Sequence, residues 1–161
     1  MGRAETHARA HDLLERGYRL QLEGRLDDAK DCLIESIALE PTPEAHTFLG
    51  WALSNEGRID EAIEQCERAI ELDPDYGNPW SDIGAYLLEK GEVDRARAYL
   101  DRSASAKRHE HDHYSHVNLG RAWLTQGLLD RALTSFRRAV ELEPRNRAAR
   151  KAVREILRRF N

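Results

Sequence analysis

The sequence predicts an all-α chain, a solenoid of antiparallel helix pairs, and three observations predict it. Eight of the ten glycines fall in pairs seven apart: Gly17/Gly24, Gly50/Gly57, Gly84/Gly91 and Gly120/Gly127. The pairs recur at intervals of 33, 34 and 36 residues, and each is followed at one offset by an alanine: Ala29, Ala62, Ala96 and Ala132. A proline then closes three of the four units, at Pro41, Pro74 and Pro144. Self-similarity at this period marks units that bury their apolar faces only against their neighbours.

Composition agrees. A chain of 161 residues with 40% hydrophobic and 34% charged side chains suits one compact domain or a short repeat array with a charged surface. No apolar run approaches the roughly 18 residues of a membrane span, and MGRAETHARAHD has no apolar core of a signal peptide. Two cysteines, Cys32 and Cys66, make neither a disulfide framework nor a CxxC, which points to a reducing, cytoplasmic setting.

The first pair, about residues 10–42, turns at Gly24 and closes at Pro41. Asp12, Arg16, Arg19 and Glu23 form a polar stripe on its first helix, as expected of a face with no preceding unit to bury it. The second pair, about 43–76, shows the logic of one unit best. Leu49 and Leu53 share a face of the first helix, and Gly57 ends that helix because a left-handed residue costs glycine almost nothing. Asp60 is then placed to cap a second helix carrying Ile63, Cys66, Ala69 and Ile70, which Pro74 stops. Gly50 and Ala62 have little side chain, so the two helices can approach closely where they cross. The third pair spans about 77–112 and lacks its closing proline. The fourth spans about 113–146.

The tail RNRAARKAVREILRRFN follows as a helix over about 147–160, with Ala149, Val153, Ile156 and Phe160 on one stripe. It carries seven basic side chains against Glu155, a net +6, on a body of about −10. A terminal cap with a polar outer side accounts for it. An acidic partner or nucleic acid docking there is a weaker reading, because no aromatic interleaving or nucleic-acid motif accompanies the charge. With both ends polar, the array reads as complete, and as a monomer.

The units resemble the tetratricopeptide repeat, a helix–turn–helix of 34 residues with W-x2-L-G-x2-Y followed by small, aromatic and proline positions. WSDIGAYLLEKGEVDRARAYLDRSASA matches best, through Trp80, Ile83, Gly84, Leu87, Gly91, Ala96 and Leu100; Phe136, Ala139 and Pro144 match in the fourth unit. The first unit departs, with Leu13 in the tryptophan slot and Arg16 where leucine is usual. The second is entered one residue early. The third junction is two residues long.

That long junction holds RHEHDHYSH, with His109, His111, His113 and His116 in eight residues. His113 and His116 are three apart and suit one helical face, so a metal-binding or metal-sensing protein is the alternative to a polar junction. His116 has a structural explanation, since it fills the slot of Trp80, as His46 does in the second unit. Asp112 is placed as a helix cap and the loop histidines lack a fixed geometry, so a polar junction is the reading taken, without a metal or cofactor. No GxSxG, GKS/T or HExxH occurs, and the glycines are used up by the repeat. No enzyme is expected.

The resemblance implies a right-handed superhelix whose first helices line a concave groove that binds partners. Carried onto this sequence, the groove residues are Leu14, Tyr18, Leu22, Thr47, Trp51, Asn55, Ser81, Ala85, Leu88, Tyr114, Val117, Asn118 and Arg121, with Ser54 beside them. One branch of the family grips peptide C-termini with a lysine–asparagine–arginine clamp; here those positions hold Leu14, Tyr18, Phe48, Asn78 and Asp82, so that function does not carry over. Glu44, Asp82 and Glu89 make the middle of the groove acidic, which favours an apolar or basic segment of a protein partner, with nucleic acid and membrane not expected. The function implied is a non-enzymatic adaptor or scaffold.

Overall fold

A computed structural model describes residues 2–160. Among them are nine α-helices and no strand, and the contacts divide them into two compact units, parted between Pro74 and Asp75.

The first unit holds α1 (Arg3–Leu22), α2 (Leu26–Leu39), α3 (Pro43–Asn55) and α4 (Ile59–Leu72). α1 packs on α2, α3 on α4, and α3 also on α1 and α2. The pairs cross where the glycines predict. A methyl group at Gly17 would stand 2.8 Å from Leu33 Cγ, and one at Gly50 would stand 3.0 Å from the Ala62 carbonyl and 3.1 Å from Cys66 Sγ. Thr42 caps α3, accepting from the Ala45 amide at 3.2 Å, with Pro43 behind it as the first helical residue. Asp60 does not cap α4. The helix begins a residue earlier, with Arg58 at the cap position, so Asp60 lies in the first turn and acts there on the helix dipole.

The second unit holds α5 (Gly77–Glu89), α6 (Val93–Ala104), α7 (Asp112–Thr125), α8 (Leu129–Leu142) and α9 (Arg147–Phe160). Gly84 crosses over Leu100 and Gly120 over Phe136, with added methyls at 2.5 and 2.7 Å. Ala132, Leu133, Phe136, Ala139, Ala149 and Ile156 form one core, with Val140 and Val153 packed on it. α9 is therefore a lid on α8, seated by Asn146, whose side chain accepts from the Ala149 amide at 3.0 Å. Phe160 does not join it. It is 52% exposed and lies outside that core, whose last member along α9 is Ile156.

Gly24, Gly57, Gly91 and Gly127 each end a first helix at φ between +72° and +77°, with open space where a Cβ would stand. Conformation alone selects glycine there.

Candidate functional site

The predicted binding residues sort by their distance from the crossing glycine. Leu14, Thr47, Ser81 and Val117 each precede that glycine by three, which puts them on its own face of the helix. Leu14, Thr47 and Ser81 are buried, and the Thr47 hydroxyl donates to the Pro43 carbonyl at 2.7 Å. Val117 packs into the α8–α9 core. These four belong to the packing seam, and as partner contacts they are corrected.

Residues one past the glycine turn about 100° away from that seam. In the first unit, Trp51 is 37% exposed although Gly50, Ala52 and Leu53 around it are buried. Its carbonyl accepts from Ser54 Oγ at 2.8 Å and Asn55 Nδ2 at 2.9 Å. Tyr18 is half-buried and stacks on Phe48, ring centroids 4.9 Å apart, and Leu22 is 63% exposed. In the second unit, Ala85 and Leu88 are half-buried on α5, and Tyr114 is 53% exposed on α7. Asn118 Oδ1 accepts from the exposed Arg121 guanidinium at 3.0 Å. Asp82, half-buried on α5, has no hydrogen bond or ion pair among the described residues, and burial pushes its carboxyl up to about 7.

The ring slots behave as the repeat predicts. His46 Nδ1 meets Gln65 Oε1 of the second helix at 2.8 Å, and nineteen residues likewise separate Trp80 from Tyr99, whose rings lie 5.6 Å apart. Trp123 is half-buried under the guanidiniums of Arg97 and Arg131, at 4.4 and 4.8 Å.

The histidine junction is more ordered than its sequence suggests. α7 begins at Asp112, with His111 at the cap position, so Asp112 is the first helical residue and not the cap. The segment before it turns back and pairs with the start of α5. The Gly77 amide donates to the Arg108 carbonyl at 2.7 Å, the Arg108 amide to the Asp75 carbonyl at 2.9 Å, and the Glu110 amide to Asn78 Oδ1 at 3.2 Å. The Arg108 guanidinium covers the buried Tyr76 ring at 4.0 Å.

His109, read from sequence as a loose loop residue, is the residue that was missed. Its side chain is 8% exposed, and its Nε2 lies 2.9 Å from Ser103 Oγ and 3.0 Å from Ser115 Oγ. Its ring lies over Gly77 so closely that a methyl there would stand 2.2 Å from Cδ2. His116 Nε2 is 3.8 Å from Asp112 Oδ1, while His111, His113 and Tyr114 cluster ring against ring towards solvent. Burial holds His109, His113 and His116 below the ordinary imidazole range, with Asp112 acting against it at each. Among the described residues, no three His, Cys, Asp or Glu side chains come together as a metal site would require.

Comparison with known proteins decides the family. Tetratricopeptide repeat models match residues 43–76 and 82–147, together well over half of the chain. The chain belongs to the tetratricopeptide repeat family. Among solved structures, Pseudomonas aeruginosa PilF is similar at a TM-score of 0.88 and 19% identity, over 99% of this chain and 71% of that one. MamA is similar at 0.70 and 27%, over 84% and 78%. The TPR repeat-containing thioredoxin TTL4 of Arabidopsis thaliana is 26% identical over 92 residues, 56% of this chain. The chain spans only 9% to 25% of the length of its curated relatives. Tetratricopeptide repeats generally serve as protein–protein interaction modules and are typically non-catalytic. No helix among the described residues of this tetratricopeptide repeat chain is long and apolar enough to cross a membrane.

Proposed function

We propose that this tetratricopeptide repeat protein is a non-enzymatic adaptor or scaffold whose first-helix faces bind a peptide segment or partner helix. The observation that carries the reading is Trp51, an indole held at the surface between buried neighbours. Exposed aromatics beside hydrogen-bonding groups are the usual anchors of recognition surfaces. Tyr18, Leu22 and Asn55 accompany it in the first unit; Ala85, Leu88, Tyr114, Asn118 and Arg121 are the counterparts in the second. Glu44 on α3 and Asp82 and Glu89 on α5 favour a partner of apolar or basic character. Asn78, one of the former clamp positions, is already engaged with Glu110, which argues further against carboxylate capture. In this reading the protein acts as a cytoplasmic monomer; Cys32 and Cys66 are buried and form no disulfide.

The test is capture of partners from native lysate, with Trp51→Ala as the paired control. The substitution should leave the melting curve almost unchanged and cost on the order of 2 kcal/mol in binding of the captured partner. A chain keeping Trp51 alone should be quenched by acrylamide more readily than one keeping Trp80 or Trp123 alone. Unfolding by Trp51→Ala, with unchanged binding by the surviving fraction, would make Trp51 a core residue and end the proposal.

A further inference from the structure

The protons around His109 can be counted. Ser103 Oγ lies 2.8 Å from the Gly77 carbonyl, which only accepts, so the single Ser103 proton is spent there. Ser115 Oγ stands 2.7 Å from Ser103 Oγ, and the proton between them must come from Ser115. Both hydroxyls then offer only lone pairs to His109 Nε2. The hydrogen on that nitrogen serves both, and no other tautomer gives every short contact a proton. A neutral imidazole has one N–H, so Nδ1 is left as a bare lone pair, and Nδ1 is indeed buried without a hydrogen-bond partner.

A second proton has only Nδ1 to go to. There it would form an N–H with no acceptor, on a cation enclosed by packed atoms, which is among the costlier arrangements in a protein interior. We propose that the Arg108–Glu110 segment is an acid-released clasp: protonation of His109 unseats its ring from Ser103, Ser115 and Gly77 and detaches the junction from the start of α5.

The surrounding charges do not remove the conflict. From α7, Asp112 Oδ1 is 4.0 Å from Nε2 and favours the cation, but on the nitrogen that is already satisfied. His111, His113 and His116 add repulsion as they protonate. α6 presents the neutral Ser103, while Arg102 and Lys107 reach Asp75, each at 3.6 Å. The start of α5 presents Gly77 backbone, the Tyr76 ring under Arg108, and Asn78 bound to Glu110. The sign follows. His109 titrates below its ordinary 6.5 while clasped and near 6.5 once released. The clasp is therefore at full strength above that value and weakens as pH falls through and below it.

The test uses the full chain labelled with 15N. Ring nitrogen spectra at pH 7.5 should show the Nε2–H tautomer of His109. Amide protection factors of Gly77 and Arg108 should fall about tenfold or more by pH 5, a tenfold change being one pKa unit, while α8 amides stay protected. In His109→Gln, whose amide can donate to both serines without titrating, that loss should vanish. In Asp112→Asn, which removes the group favouring the cation, the loss should grow. If His109→Gln fails to fold, the tautomer and Asp112→Asn decide the matter. An Nδ1–H tautomer, unchanged protection while the ring titrates, or no growth of the loss in Asp112→Asn overturns the proposal, as does an undiminished acid loss in His109→Gln.

Discussion

The α1–α2 and α5–α6 pairs correspond residue for residue at an offset of 67, and they part company at one hydroxyl. In both, a glycine crosses over a leucine, Gly17 over Leu33 and Gly84 over Leu100. In both, a buried serine of the second helix donates to a carbonyl seven residues before the first helix's crossing glycine, Ser36 to Ala10 within α1 and Ser103 to Gly77 at the start of α5, each at 2.8 Å. In the first pair that bond stands alone, and the chain passes directly through Glu40–Thr42 into α3. Its nearby histidine, His7, meets Glu40 at 2.7 Å out in solvent, where such pairs contribute little. In the second pair the same serine also touches Ser115 and His109. The difference rests on a methyl group. Ala10 has one and Gly77 does not, and the imidazole of His109 occupies the room. A repeat can thus change a single seal between two helices into the hub of a network by deleting one carbon and adding a short return to the following junction.

Returning that carbon should give the largest effect. Gly77→Ala would drive a Cβ into the His109 ring and should cost about 3 kcal/mol in urea unfolding, the upper part of the overpacking range. Ala10→Gly should cost only about 1 kcal/mol, a helix-propensity loss. Near-equal costs would mean that His109 is not held where the seal requires.

A second contrast within the pairs is Asp82 against its exposed counterpart Glu15. Burial raises the Asp82 carboxyl from 3.8 to about 7, so its stability contribution is fully present below 3.8 and is lost as pH rises through 7. Asp82→Asn should therefore stabilise the fold at pH 8, on the order of 1.5 kcal/mol: about three pKa units at about 1.4 kcal/mol each set the ceiling, and solvent reaching the half-buried carboxyl takes most of it. The gain should shrink on acidification towards pH 4. A gain independent of pH would show that the carboxyl is solvated like that of Glu15.

The smallest effect is the difference between the two serines. Ser36→Ala should cost about 1 kcal/mol for one hydrogen bond, and Ser103→Ala about 1 kcal/mol more, because the Ser115 hydroxyl and the His109 N–H lose a partner as well. Equal losses would reduce the hub to a simple seal.

The glycine pairs made the helix pairs legible, because positive φ and close crossing are demands that a single residue type meets. Trp51 was legible for the same reason, being one residue past a crossing glycine. The same rule, applied one step further, would have removed Leu14, Thr47, Ser81 and Val117 from the binding face, since three residues back is the glycine's own side. Phe160 follows the stripe of Ile156 and Val153, but periodicity does not say how far along α9 the core extends. Asp60 and Asp112 look like caps, yet helix starts shift by a residue when the preceding backbone can take the cap position. His109 was hidden differently. Its partners are a serine on each flanking helix and a missing side chain at Gly77, and an absent atom leaves no signal in a hydrophobic pattern.

The return of the junction onto α5 also bears on how long the folded state lasts. Asn78 and Glu110 lie 32 residues apart, and a whole helix hairpin stands between them. That hairpin has local contacts of its own and can form before the loop closes, whereas the clasp must wait for both ends. Bonds made after the folding barrier leave the folding rate nearly untouched and appear almost entirely in the unfolding rate. The clasp is in that sense a brake on opening, and acid that loosens it would shorten the lifetime of the second unit without making it slower to fold.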